Sequence, residues 1–509
     1  MVAYNNIDFL KKQFPEIQEE EFMLFNSYIF IFLFFPLTLI GYYGLNHAKM
    51  YKAALAFLAA MSMWFYGYNS IYYLVILIVS ILANYFLSSC MTRTSKKSLK
   101  QTFLGVGIFL NISILFYFKY YDFFISNLNS VFKSDLPLLR LILPLGISFY
   151  TFQQLSYVID SYKGECENYS FLEYAAYVSF FPQLVAGPIV YHSELIPQFR
   201  DHASRKLNFE NLSRGLYAFS LGLAKKVLIA DTFSQVVAIG YDHIAELNTP
   251  SVILVMVCYS LQIYFDFSGY CDMAYGMSYM LGIKLPFNFN SPYKAQSISD
   301  FWDRWHMTLT RFFTRYVYIP LGGNRCSKTR NYFNRLIVFL ISGLWHGANW
   351  TFIIWGLLHG ILTVLERIFH TESKRVPRFL RIGVTFVLVT FAWSLFRADS
   401  LSDAGMLWLQ LFRGGFGSIY QPITDKFNDL VEVSFLYKAG FGGIMTRYPW
   451  MPVSAFTLAL LTACFTMKNT QEKVALMKLT NYKILVVVIL MLWSIVSLSE
   501  ISEFLYFNF

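Results

Sequence analysis

The stretch SGLWHGANW (342–350) places a histidine, His346, inside an otherwise apolar run of the sequence. A neutral imidazole has an ordinary pKa of about 6.5, so it is well suited to act as a general base near neutral pH. Gly343 and Gly347 remove side-chain bulk near this histidine, which allows a second helix or a substrate to approach the backbone. The stretch alone is compatible with a catalytic base and with a histidine that only packs against a neighbouring helix.

The neighbours of His346 extend this hypothesis. Trp345 and Trp350 are predicted to supply flat apolar walls, and Asn349 offers an amide that could bind a substrate. His359 follows thirteen residues after His346, which is about 220° round one ideal helix, so the two rings would not share a face. We therefore predict that His359 lies near the membrane interface and has a structural role.

A second histidine, His306, lies in the segment FWDRWHMTLTRFFTRYVYIPLGGNR (301–325). If the segment is one helix, its arginines share one face and a largely aromatic stripe lies beside them. Such a helix suits the membrane interface, where arginines meet lipid phosphates, and the same side chains could also bind an anionic donor. The LGGN sequence is too short to count as a phosphate loop by itself. The predicted binding residues of this segment are Arg304, Trp305, Arg311 and Arg315.

Polar side chains in two further apolar runs are candidate walls of a polar cavity. Asp266 lies in YFDFSGYCDMAYG (264–276), and a carboxylate at membrane depth needs a partner, which we expect to be an arginine or a helix N-terminus. A cavity wall and a structural ion pair both remain open for it. Gln153 lies in PLGISFYTFQQLSYVID (144–160), whose proline and glycine predict a bent helix around the cavity.

The composition defines the elements that must position these residues. The chain has 509 residues, of which 56% are hydrophobic and 14% charged, and its mean hydropathy is +0.45. Soluble domains carry about 25% charged residues, so this deficit, with its long apolar runs, predicts an all-α polytopic membrane protein. The net charge of +10 is expected in cytoplasmic loops and not in a nucleic-acid site. Six scattered cysteines predict neither a disulfide framework nor a structural metal site.

The apolar runs predict about eleven crossings. The runs 250–283 and 333–369 are too long for one crossing, so each is predicted to contain a broken or re-entrant helix. The first apolar run, Phe25 to Leu45, follows about twenty polar residues, so we predict a retained span and not a signal peptide. Placing the basic loops inside, which include 93–100 and 372–378, predicts an extracytoplasmic N-terminus.

Several enzyme classes lack support in the sequence. There is no GxSxG elbow, no HExxH motif and no P-loop. No internal repeat is visible, so the inverted-repeat pattern of many transporters is missing. The chain is therefore predicted to be one membrane domain, with a core at about 24–397 and a C-terminal extension at about 398–509.

The motifs resemble the membrane-bound O-acyltransferase (MBOAT) family, and most closely its bacterial alginate O-acetylation branch. The resemblance runs through nearly the whole chain and rests on long motifs. It implies a ring of helices around a tunnel and transfer of an acyl group from a thioester to a hydroxyl. It implies that His346 is the intramembrane histidine of the family and that His306 occupies a position where other branches carry asparagine. The motifs are the two histidine segments together with LFNSYIFIFLFFPLTLIGYY, LPLGISFYTFQQLSYVIDSYKG, FFPQLVAGPIVYHSELIPQF, LGLAKKVLIADTFSQVV and YSLQIYFDFSGYCDMAYG.

This resemblance implies an O-acetyltransferase of the bacterial cytoplasmic membrane that modifies an extracytoplasmic polysaccharide, directly or through a partner acetyltransferase. His346 would act as general base, and His306 would polarise the thioester carbonyl or orient the acceptor. Acetyl-CoA would be the donor substrate, with no tightly bound cofactor and no metal, and membrane lipids would surround the chain. Two alternatives are D-alanyl transfer from a carrier protein to teichoic acid, and a non-enzymatic exporter. The extension after residue 398 argues against the first alternative, and the paired histidine motifs argue against the second.

Overall fold

A computed structural model of the protein describes residues 23–201, 205–369, 376–478, 480–498 and 504–505. Within these ranges every regular element is a helix, which confirms the predicted all-α class. The predicted absence of a signal peptide concerns residues 1–22, and most of the basic loop 372–378 falls at 370–375. Both stretches lie outside the described residues.

The described chain forms two compact units. The first unit comprises the described parts of 1–223, 270–287 and 477–509. Most of its helices lie in the N-terminal part of the chain, and π-helical turns extend two of them. Its helices are Phe30–Phe34, Phe35–His47, Tyr51–Asn69, Ile71–Arg93, Lys97–Leu115, Phe116–Tyr120, Tyr121–Phe132, Ile147–Lys163, Phe171–Ser179, Phe181–Leu184, His192–Arg200, Phe209–Ala224 and Asn481–Val496.

The second unit comprises 224–269 and the described parts of 288–476, and it contains both candidate catalytic histidines. The helix Thr249–Met280 begins in this unit and continues into the residues of the first one. The other helices of the second unit are Lys225–Ala230, Asp231–Asp242, Ile244–Glu246, Pro292–Lys294, Ile298–Trp302, Met307–Phe313, Thr314–Tyr318, Lys328–His346, Trp350–Phe369, Arg378–Arg397, Leu401–Arg413, Gln421–Asn428, Val431–Leu436, Tyr437–Phe441, Gly442–Arg447, Met451–Thr466 and Thr470–Ala475.

Six helices among the described residues are long and apolar enough to cross a membrane, and a bent pair could make a seventh. The chain is therefore a multi-pass membrane protein. The bent pair joins Val431–Arg447 to Met451–Thr466 at an angle of 104°. The six helices are Phe30–His47, Ile71–Arg93, Lys97–Phe132, Thr249–Met280, Trp350–Phe369 and Arg378–Arg397.

The two overlong apolar runs behave differently. The run 333–369 is broken as predicted, because one helix ends at His346 and the next begins at Trp350. The predicted break in 250–283 is wrong, since Thr249–Met280 is a single helix of 32 residues. At a rise of about 1.5 Å per residue this helix is about 48 Å long, more than the hydrocarbon thickness of a bilayer.

Local sequence signals position the helix break beside His346. Ser327 begins the first helix of the pair, because its hydroxyl accepts a hydrogen bond from the amide of Arg330 at 3.3 Å. Gly347 ends that helix in an extended conformation. Asn349 directly precedes the next helix, and its side-chain oxygen accepts a hydrogen bond from the backbone amide of Thr351, in the first turn of that helix, at 3.2 Å. The pair Lys328–His346 and Trp350–Phe369 is called the histidine hairpin below.

Candidate active site

His346 is the last residue of the first helix of the histidine hairpin, and its side chain is buried. Its Nδ1 lies 2.6 Å from the carbonyl oxygen of Ser342, one helical turn earlier. Because a carbonyl oxygen only accepts hydrogen bonds, Nδ1 must carry the proton in this contact. In the neutral ring the lone pair is then on Nε2, so the helix itself selects the tautomer that a general base needs.

The glycines of this stretch bring the two helices of the hairpin into close contact. A β-carbon at position 343 would lie 2.3 Å from the carbonyl oxygen of Phe352, and one at position 347 would lie 2.2 Å from the Phe352 ring. Gly356 faces Gly343 across the same contact, with a β-carbon at 356 lying 3.0 Å from the Gly343 Cα. The sequence left open whether these glycines allow close approach of a second helix or of a substrate. In the structure they allow close approach of the second helix of the hairpin.

Gly343→Ala should therefore destabilise the protein by about 1–3 kcal/mol, the usual cost of forcing extra atoms into a packed contact. Gly383→Ala is the matched control, because Gly383 also lies in a helix but its β-carbon would meet nothing within 4 Å. Alanine in a helix is favoured over glycine, so the control should be neutral or slightly stabilised. Thermal unfolding of the two purified variants checks this, and equal midpoints would contradict the close contact.

Aromatic side chains surround the His346 ring. The rings of Trp345, Trp355 and Phe396 have centroids 4.8, 5.0 and 5.4 Å from it. The predicted wall of Trp345 is thus present, whereas Trp350 is 50% exposed. Sequence reasoning missed Trp355 and Phe396, although Trp355 sits nine residues beyond His346 in the same motif.

His306 lies between the helices Ile298–Trp302 and Met307–Phe313 and is fully buried. Its φ of 44° and ψ of 50° put it in the left-handed region, which histidine tolerates better than most residues. Its Nδ1 lies 3.2 Å from the side-chain oxygen of Asn288, which also accepts hydrogen bonds from the backbone amide and hydroxyl of Thr308. A backbone amide only donates, so this Asn288 atom is an oxygen, and His306 must donate from Nδ1.

The two candidate catalytic histidines share an aromatic neighbour and a tautomer. The His306 ring lies 6.0 Å from the Trp345 ring, which also contacts His346. Burial, and secondarily the neighbouring His346, hold the pKa of His306 well below its usual value. His306 is therefore neutral near pH 7, with the lone pair on Nε2 as in His346. Sequence reasoning did not identify Asn288 as the partner of His306. No local pattern could have done so, since this residue lies eighteen positions upstream of His306.

His359 is a third buried histidine, and its predicted place near the membrane interface is wrong. It lies midway along the apolar helix Trp350–Phe369 and is fully buried. Its ring is 5.0 Å from Trp355, the residue that also contacts His346 at 5.0 Å. The indole N–H of Trp302 donates to its Nδ1 at 3.3 Å, so Nε2 carries the proton. His359 thus has the opposite tautomer and offers no basic nitrogen.

The basic segment is not one helix, so the predicted shared face of its arginines is wrong. Arg304 lies between two short helices and forms an ion pair with Asp300 at 2.6 Å. Arg311 lies in Met307–Phe313, and Arg315 lies in the following π-helical turn above the ring of Tyr316. The left-handed residue His306 breaks the helix between Arg304 and the other two arginines.

Trp305 and Asn349 occupy different environments. Trp305 is fully buried and stacks on Phe301, with ring centroids 5.6 Å apart. Asn349 is half-buried and donates from its amide to the carbonyl of Asp399 at 2.9 Å, so it links the hairpin to the end of another helix. A binding role for either residue stays a prediction.

Asp266 and Gln153 lie in different units. Asp266 forms a buried ion pair with Lys226 at 2.8 Å, so its partner is a lysine and not the arginine or helix end that we expected. Lys226 also contacts Asp231 at 2.9 Å. Gln153 belongs to the first unit and is 1% exposed, yet neither of its polar atoms has a hydrogen-bond partner among the described residues. Such an amide is suited to bind a polar ligand or water.

In the site, two histidines each donate a hydrogen bond from Nδ1, so that the lone pair of the neutral ring lies on Nε2, and a wall of aromatic rings lowers the local polarity. This arrangement suits proton transfer from a hydroxyl in a shielded environment. It contrasts with the third histidine in the same cluster, whose tautomer is reversed.

Residues 3–399 match the sequence model of the membrane-bound O-acyltransferase (MBOAT) family. The chain therefore belongs to this family and is an O-acyltransferase. The chain is 39% identical to a peptidoglycan O-acetyltransferase of Helicobacter pylori, over 96% of this chain and 98% of the relative. It is 37% identical to the probable alginate O-acetylase AlgI of Pseudomonas aeruginosa, over 77% of this chain and 75% of the relative. A teichoic acid D-alanyltransferase of Bacillus subtilis is 29% identical over 50% of this chain.

Proposed function

We propose that this O-acyltransferase takes an acetyl group from a cytoplasmic thioester, acetyl-CoA, for O-acetylation of an extracytoplasmic polysaccharide. The observation that carries the proposal is the hydrogen bond from His346 Nδ1 to the Ser342 carbonyl. It orients a buried imidazole with its basic nitrogen on the opposite edge, at the position where the family resemblance implies the general base.

In the proposed reaction the acceptor hydroxyl gives its proton to Nε2 of His346 as its oxygen attacks the thioester carbonyl. The carbon–sulfur bond then breaks, and the proton passes from His346 to the departing thiolate. The products are an oxygen ester and a free thiol, so the step needs no further reactant. General-base assistance of this kind is worth about 10²- to 10⁴-fold in rate.

For His306 the tautomer supports one of the two roles that the sequence left open. Polarising the thioester carbonyl requires an N–H donor, but Nδ1–H is used by Asn288 and Nε2 carries the lone pair. The low pKa of His306 also disfavours the protonated ring that could donate from both nitrogens. We therefore propose that Nε2 of His306 accepts a hydrogen bond from another donor group of the acceptor, and so orients the hydroxyl whose proton passes to His346.

Two substitutions of His306 test this acceptor role. His306→Gly keeps the left-handed backbone but removes the ring, and it should lower kcat/KM by about 10²-fold through loss of orientation. His306→Asn also tolerates that backbone and offers an amide oxygen, so it should retain much more activity. Acetyl transfer by the two variants, at equal amounts of folded protein, checks this. Equal losses in both would contradict the role.

The extent of similarity favours peptidoglycan as the acceptor over alginate. The Helicobacter pylori peptidoglycan O-acetyltransferase aligns along nearly the whole chain, including the region after residue 398, whereas the alginate O-acetylase aligns over 77% of it. The D-alanyl alternative is less supported, because its relative covers 50% of this chain. We also propose that an extracytoplasmic acetyltransferase partner receives the acetyl group before the polysaccharide does.

The proposal includes a topology. The chain would lie in the cytoplasmic membrane of a bacterium, with an extracytoplasmic N-terminus. About eleven crossings in a ring around a tunnel would connect the cytoplasmic donor to the acceptor. Cysteine labelling with a membrane-impermeant maleimide, at single introduced sites near the N-terminus and in the 93–100 loop, tests the orientation.

The acceptor is tested in the source cell with the gene deleted and then restored. Ester-linked acetate is measured separately in purified peptidoglycan fragments and in exopolysaccharide, and ester-linked D-alanine is measured in the same cells. We expect the peptidoglycan acetate to fall on deletion and to recover on restoration. Loss of D-alanine esters instead, or unchanged acetate in every polysaccharide, would contradict the proposal.

A further inference from the structure

A carboxylate, Glu366, lies near the end of the second helix of the histidine hairpin. It is half-buried in a largely apolar stretch, ILTVLERIF (361–369), in one of the helices long enough to cross a membrane. An acidic side chain in such a helix is costly, so its partners indicate what it does. The sequence did not single out this residue, and the proposed reaction does not use it.

The partners of Glu366 lie at the start of the short helix Ile298–Trp302. One carboxylate oxygen accepts a hydrogen bond from the amide of Ile298, and the other accepts from the amide and the hydroxyl of Ser299 at 3.0 and 2.9 Å. Hydrogen bonds to an ionised acceptor are about twice as strong as those between neutral groups. The positive end of the helix dipole also favours a carboxylate at this place. The contact therefore fastens the short helix to the histidine hairpin.

The short helix has caps of its own and does not need Glu366 in order to form. The hydroxyl of Ser297 accepts a hydrogen bond from the amide of Asp300 at 3.0 Å, and the Asp300 carboxylate accepts one from the amide of Gln296 at 2.9 Å. These local contacts stabilise the first turn from within. What Glu366 adds is the position of the short helix relative to the hairpin.

The short helix leads directly into residues 303–306, called the His306 loop below. Backbone hydrogen bonds hold this loop to the segment 288–290. The amide of Met307 donates to the Asn288 carbonyl at 3.0 Å, and the amide of Asn290 donates to the Arg304 carbonyl at 2.9 Å. The loop and this segment are thus held together as one piece. A displacement of the short helix would therefore move His306 with it.

We propose that Glu366 is a positioning residue that sets the place of the His306 loop relative to the helix that carries His346. At the other end of the short helix, Trp302 donates to His359 on the same helix as Glu366. One contact alone leaves the short helix free to pivot, whereas contacts at both ends fix its direction. That this position matters for acetyl transfer rests on the proposed function, whereas the position itself does not.

The first test measures the position without any activity. Full-length protein labelled with 5-fluorotryptophan is studied in detergent by fluorine NMR, and the Trp345 resonance is assigned with Trp345→Phe. The Trp345 ring lies 6.0 Å from the His306 ring, so its resonance reports on the loop. Glu366→Gln replaces the carboxylate by an amide with one accepting oxygen, so we expect this resonance to shift or broaden.

Glu173→Gln is the matched control of this test. Glu173 also accepts hydrogen bonds from the amide and the hydroxyl of one serine, Ser170, but it lies in the first unit. We expect the Trp345 resonance to stay unchanged in this variant. An unchanged Trp345 resonance in folded Glu366→Gln protein would overturn the inference, as would the same shift in Glu173→Gln.

The second test measures kcat/KM for acetyl transfer per folded molecule. Glu366→Gln should lower it about tenfold, because a misplaced His306 orients the acceptor less well. When His306 is already replaced by glycine, the same change should cost less than about twofold, since residues that act as a unit are not additive. Equal losses in the two backgrounds would assign Glu366 to stability alone and overturn the inference.

Ser299→Ala is a milder variant for the case that Glu366→Gln does not fold. It removes one of the three hydrogen bonds to the carboxylate, so smaller effects in the same direction are expected in both tests. Wild-type behaviour of Ser299→Ala in both tests would then contradict the inference. If His306→Gly keeps full activity, the proposed role of His306 fails, and the Trp345 resonance still decides whether Glu366 positions the loop.

Discussion

Replacing His346 with alanine should lower O-acetylation of the polysaccharide by about 10²- to 10⁴-fold while the protein still accumulates in the membrane. The imidazole is the proposed base, and its Nδ1–H contact with Ser342 fixes the orientation that makes Nε2 basic. Alanine removes the base but leaves the helix intact, since alanine is a good helix former. The measurement is ester-linked acetate in the polysaccharide of cells whose own copy has been replaced.

The matched control is His359→Gln. Both histidines are buried and contact Trp355 at the same ring distance of 5.0 Å, but His359 accepts from Trp302 and has no basic nitrogen to offer. Glutamine can still accept that hydrogen bond, so this variant should lose some stability and keep its rate per folded molecule. If His346→Ala keeps more than a tenth of the acetylation, His346 is not the base.

The second large effect is expected at the buried ion cluster of the second unit. Lys226→Met should destabilise the protein by about 3–5 kcal/mol, because it leaves Asp266 buried without its lysine. Lys226 lies 2.8 Å from Asp266 and 2.9 Å from Asp231, and both Lys226 and Asp266 are almost fully buried. Thermal unfolding in detergent, read by size-exclusion chromatography, gives the loss of folded protein.

The double variant Lys226→Met with Asp266→Asn is the control, since it removes the buried charge together with its partner. It should recover most of the stability that the single variant loses. Its activity also tests whether Asp266 binds substrate, as the sequence suggested. A folded double variant with normal transfer would assign Asp266 to structure alone, whereas equal instability of the single and double variants would contradict the ion-pair account.

Sequence patterns predicted the helical class, the membrane setting and a break within 333–369, because each depends on local composition. The break at 347–349 contains Gly347 and Asn349, two residues common at helix ends that are separated by one alanine, so the local sequence accounts for it. The uninterrupted helix through Asp266 could not be predicted in this way. Its carboxylate is offset by Lys226, which lies forty residues upstream, and no local pattern reports that pairing.

The details of the candidate site depended on contacts between distant segments. His306 breaks the helix in which the arginines were expected to share a face, because its backbone is left-handed and its side chain bonds to Asn288. The tautomers of His346 and His359 depend on single hydrogen bonds, one local and one to a tryptophan 57 residues away. Residue types therefore predicted which histidines to consider, and geometry distinguished the proposed base from the histidine with the opposite tautomer.

The most direct test of the central claim uses inside-out membrane vesicles from cells that express wild-type protein or His346→Ala at equal levels. Acetyl-CoA that carries a radiolabel in its acetyl group is supplied to the cytoplasmic face, which is the outer face of these vesicles. The initial rate of label transfer to the acceptor inside the vesicles is measured. The account predicts label in the acceptor with wild-type protein, and a rate at least 10²-fold lower with the variant. Comparable rates in both vesicle preparations would contradict it.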